Sequence, residues 1–126
     1  MDVPTDQMLA AHPRVQQALQ TTRELATAHV DAAMLAIAEQ RICQLLGAET
    51  PASNSANELV PDDLALAVVA FVEQWVIDVA NVSDDMVATL RIELGEDRLM
   101  DFMHAVLVIE QRVRLELAWV KLGLSS

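Results

Sequence analysis

The chain has 126 residues, 53% of them apolar, and 19 acidic against 8 basic side chains give it a formal net charge of −11. That length suits one domain with a single core, and the acidity makes nucleic acid and anionic membrane poor partners. No apolar run approaches the ~18 residues that a membrane span needs, so the high apolar fraction points instead to self-association.

The opening MDVPTDQMLAAHPR lacks the basic start and continuous apolar stretch of a secretory signal, so a cytoplasmic location is expected. Pro4, Thr5 and Asp6 read as a helix start, and His12 before Pro13 breaks or restarts it. Val15, Ala18, Leu19, Thr22 and Leu25 then recur at helical spacing and predict an amphipathic helix. A further helical segment is expected over 28–46 through Val30, Met34, Ile37, Arg41 or Ile42, and Leu45, with Gly47 as a left-handed cap. Residues 47–61 carry Pro51, Ser53, Asn54, Ser55 and Asn57 without periodicity and read as a polar loop.

Pro61 suits a first helical turn with Asp62 and Asp63 behind it, and the run that follows is apolar on most faces. Its polar residues Gln74, Asp78 and Asn81 make one narrow stripe. Ser83 is placed to cap the next helix, with Asp84 and Asp85 in its first turn, Val87, Leu90 and Leu94 on one face, and Gly95 as its stop. The last helix, 96–122, would run roughly 40 Å. Between 99 and 109 only Asp101 and His104 are polar, which predicts burial on several sides. The expectation is a single all-α domain over 1–126, a compact bundle of five to six helices with a long C-terminal one. Helices apolar on more than one side exceed what so small a domain can cover, so a homo-oligomer built through 61–82 and 99–120 is expected.

The run from Pro61 to Gly123 resembles the alkylhydroperoxidase D-like and carboxymuconolactone decarboxylase family of all-helical proteins. It has an acidic helix start, a long apolar helix, a V-S-D turn, a short helix ending in glycine before acidic residues, and a long helix with an arginine, here Arg114, near its end. Upstream, AMLAIAEQRICQLLGAETPASNS is similar to the family segment that ends in R-V-A-Q-L-N-G-C-x-x-C, with Arg41 and Gly47 on its arginine and glycine. That alignment puts the redox cysteines at Ala48 and Pro51, the proton-relay glutamate at Ala36 and the histidine at about Ser55, so all four groups are missing. The extra helix usual after the cysteine pair is also absent from this reading. Thiol–disulfide exchange needs an attacking thiolate and a resolving sulfur, and Cys43 is the one cysteine. Neither a peroxidase nor a disulfide reductase is therefore expected, and Cys43 reads as core.

A second branch of the family decarboxylates a lactone acid without metal or organic cofactor. For such chemistry the candidate acid–base groups are His104 and Glu73, each set in an apolar helix. His104, among Phe102, Met103, Ala105 and Val106, reads first as a histidine hydrogen-bonded in a core or at an interface, and Glu73 first as a partly exposed carboxylate. Trp75, Cys43 and His104 are the candidates for lining a ligand pocket, although tryptophans at these spacings also suit packing. Arg112 and Arg114 beside Glu110 and Glu116 suggest an anion clamp, but Glu110 and Arg114 are also spaced as an i,i+4 pair on a solvated face, which is the favoured reading. His12 and His29 fall near helix ends, and no metal-ligand spacing is seen, so no metal or cofactor is expected. The expected role is a non-redox oligomeric binding or interaction module, taking a small apolar or carboxylic ligand or joining an active paralogue in a hetero-oligomer. The alternative is a cofactor-free acid–base enzyme.

Overall fold

The computed structural model describes residues 12–48 and 61–122, and the features expected at 1–11, at 49–60 and beyond 122 lie outside the described residues. The described chain is all-helical: α1 (Pro13–Thr27), α2 (Ala32–Leu46), α3 (Asp62–Asp78), α4 (Asp84–Leu94) and α5 (Glu96–Lys121), with a 3-10 turn Val79–Asn81 between α3 and α4. They form a compact bundle, as the periodicity predicts. None of the described helices is long and apolar enough to cross a membrane.

Local chemistry sets most of the boundaries. The segment expected from residue 28 begins four residues later, because the Asp31 side chain accepts from the backbone N–H groups of Ala33 (2.9 Å) and Met34 (3.2 Å) and so defines the N-terminus of α2. Gly47 closes α2 with φ +75, a conformation that a Cβ would disfavour. Pro61 stands one place before α3 rather than within it, in extended geometry, with Asp62 and Asp63 in the first turn. Ser83 Oγ accepts from the Met86 N–H at 3.2 Å and caps α4. Gly95, at φ +80, lets the chain leave α4 and enter α5 without an intervening loop.

The core is assembled from one face of each of α2 to α5. Ile42, Val68, Phe71, Val72, Leu90, Phe102, Val106 and Ile109 are its largest fully buried side chains, each worth roughly 1.5–3 kcal/mol of burial. Backbones approach closely between α2 and α3, α2 and α5, and α1 and α5. Helices α3 and α5 meet mainly through large side chains: the rings of Phe71 and Phe102 lie 6.0 Å apart, and Trp75 leans on Phe71 at 5.6 Å.

Helix α1 forms where expected but buries little. Only Ala26 is buried, and Val15 and Leu25 of its apolar stripe are exposed. It is held at the margin by a 3.0 Å ion pair from Arg23 to Glu39 of α2 and by an edge-on contact of His12 with Trp119 of α5.

Candidate functional site

Cys43 sits on the inner face of α2 and is only 4% exposed. Burial, followed by the carboxylates of Glu39 and Glu116, pushes its thiol from 9.0 up to about 11. At neutral pH it is a protonated, enclosed thiol, the opposite of the low-pKa, accessible thiolate that redox chemistry uses. Ala48, where the resemblance would put the first redox cysteine, follows the end of α2, and Pro51 lies outside the described residues.

Between α2 and α3 runs an open groove of about 560 Å³ lined by apolar side chains of both helices (Ile37, Ala65, Leu66, Val69) and by polar groups from Gln40, Gln44 and Asp62. Arg41 and Glu73 cross it as a 3.1 Å ion pair, and Arg41 also donates to Gln44 Oε1 at 3.0 Å. The Arg41 Nε is buried and has no hydrogen-bond partner among the described residues. Glu73 is thus the partly exposed carboxylate expected, now with its partner identified. The groove offers amphipathic space but is open to water, whereas acid–base catalysis draws on an enclosed site.

A second polar cluster joins α3 to α5. Glu110, 9% exposed, accepts from Trp75 Nε1 at 3.3 Å and from Arg114 at 3.2 Å. The i,i+4 pair expected with Arg114 therefore forms, with its arginine exposed as expected, but its glutamate is enclosed, because Trp75 covers the carboxylate from α3. Arg112 is paired with Glu116 at 3.3 Å. Both arginines are held by glutamates of their own helix, which leaves no ready anion clamp. The Trp75–Glu110 contact went unseen in the sequence: its partners are 35 residues apart, and no local spacing links them.

His104 is exposed, on the outer side of α5, and not in the core as one reading had it. Its surroundings at 102, 103, 105 and 106 are buried or half-buried, but its own direction is set by the helical turn. Glu73 faces α2 and His104 faces outward from α5, so the structure does not bring the two acid–base candidates into one site. Nor do Trp75, Cys43 and His104 share a pocket: Trp75 is tied to Glu110, Cys43 is in the core and His104 is outside.

The outer side of α5 also exposes Met100, Leu107, Leu115 and Leu122, and α3 with the turn after it exposes Leu66, Ile77 and Val79. Among the described residues, no three of His, Cys, Asp and Glu gather as metal ligands. Comparison with known protein families, curated proteins and solved structures found no match to this chain.

Proposed function

We propose that this is a non-redox helical protein of the alkylhydroperoxidase D-like type that works by association, as an oligomeric binding or interaction module. The observation that carries the reading is the pair of long helices α3 and α5, each with one face in the core and apolar side chains left on the other. Leu66 and Ile77 on α3 are 70% and 69% exposed, and Met100 and Leu122 at the two ends of α5 are 60% and 70% exposed. Apolar residues spaced along two long helices are costly to leave in water and are covered by association. The segments 61–82 and 99–120 are the interfaces assigned to a homo-oligomer, and the α2–α3 groove is the place for a small apolar or carboxylic molecule. The buried thiol of Cys43 agrees with a non-redox role. No observation favours the cofactor-free decarboxylase alternative, since His104 and Glu73 lack a common enclosed site.

Native mass spectrometry with light scattering on the purified chain tests this. A homo-oligomer is the expected result, with or without a retained small molecule. A monomer across the accessible concentration range overturns the proposal, and capture of a paralogous chain in place of a second copy replaces the homo-oligomer with a hetero-oligomer.

A further inference from the structure

The outer face of α5 has a spacing that reads the same from either end. About Gln111 as centre, Leu107 and Leu115 lie four residues to each side, His104 and Ala118 seven, and Met100 and Leu122 eleven. All seven positions are exposed, and successive steps of four and three residues keep them on one side of the helix. The opposite side, through Phe102, Val106, Ile109 and Val113, is buried in the core. A two-fold axis through Gln111 would therefore lay Leu107 on Leu115 of a second copy, Met100 on Leu122, and His104 on Ala118, which is the self-complementarity that an isologous contact requires.

Charge selects the same direction. The first turn of α5 carries Glu96 and Asp97 toward the Gln111 side, with Arg98 of that turn directed away from it, and its last turn carries Lys121. Antiparallel pairing brings the acidic end of each helix to the basic end of the other and opposes their dipoles, whereas parallel pairing stacks acid on acid. We infer that a second copy of this chain docks along the outer face of α5, antiparallel, with the two-fold axis at Gln111. The seam spans about 33 Å from Met100 to Leu122. This inference rests on the association reading above and specifies the partner, direction and register for one of its two faces.

Register is tested by charge exchange and by cross-linking. Leu107→Glu alone places two unpaired carboxylates in the seam and is expected to weaken the dimer by on the order of tenfold or more. Adding Leu115→Lys on the same chain restores it, because each Glu then meets a Lys of the other copy; in a parallel seam, like would meet like and nothing would be restored. Gln111→Cys, on the axis, is expected to form a covalent dimer under mild oxidation, while the unaltered chain, with Cys43 buried, does not. These surface variants leave the core untouched, and circular dichroism verifies that each is folded. If the chain associates but Gln111→Cys does not cross-link and the second substitution gives no recovery, this seam is wrong and the association reading stands. A chain that stays monomeric overturns both.

Discussion

Between about pH 8.5 and 11 few groups of this chain titrate, because it has no tyrosine and Lys121 is its one lysine. Cys43 holds its proton more tightly in the folded chain than in the unfolded one. Its thiol holds its proton up to about 11 in the fold against 9.0 when unperturbed, a preference for the neutral form of about 2–3 kcal/mol. The folded state thus binds more protons than the unfolded one over that interval. Stability from this group is present in full below about pH 9 and falls as pH rises through about 11. Urea unfolding at pH 8 and pH 11, followed by tryptophan fluorescence, should show the native chain losing about 2–3 kcal/mol more than Cys43→Ala does. The same preference leaves about one thiol in a thousand ionised at pH 8, so alkylation of the folded protein should run roughly a hundredfold slower than that of an unperturbed cysteine, before burial slows it further. Alkylation at the rate of a free peptide thiol, together with identical pH dependence in the two proteins, would refute the account of Cys43 as an enclosed, non-redox thiol.

Three further predictions concern what holds the bundle together. Glu110→Ala removes the acceptor for Trp75 and Arg114 and should lower unfolding free energy by about 1–3 kcal/mol, while Glu110→Gln, which keeps an acceptor for Trp75, should cost less; equal losses would mean that the link between α3 and α5 is not a hydrogen bond. Phe102→Ala empties the contact with Phe71 at the centre of the core and should cost about 3–5 kcal/mol, read as a large fall in the urea midpoint. Asp31→Ala deletes the cap of α2 at a cost of about 1 kcal/mol, and Asp31→Asn should recover most of it in the same denaturation assay.

Signals confined to a few neighbouring residues were legible without the fold. Gly47, Ser83 and Gly95 mark helix ends because the caps they make use atoms within one turn, and Leu90 and Leu94 were assignable to a buried face because they recur at helical spacing. Asp31 carries the same kind of signal, but the apolar spacing through Val30 runs across it, and α2 begins where the cap sets it rather than where the periodicity does. The Glu110–Arg114 pair was legible for the same local reason, its partners being four residues apart, and the structure adds Arg112 with Glu116 at the same spacing.

Which side of an all-round apolar helix faces the core is a different matter, because periodicity cannot rank faces that are all apolar. Only packing against α2 and α3 decided that Phe102, Val106 and Ile109 turn inward while Met100, His104 and Leu107 remain outside. The stripe on α1 shows the converse: it specified a helix, yet Val15 and Leu25 remain exposed. Glu110 was visible as half of an i,i+4 pair, but its burial depends on Trp75, a residue from another helix. The sequence by itself determined helices, caps and the lack of a second thiol, since these follow from local geometry and composition. The tertiary structure decided which apolar faces meet and which polar groups are enclosed, since those depend on contacts between segments distant along the chain.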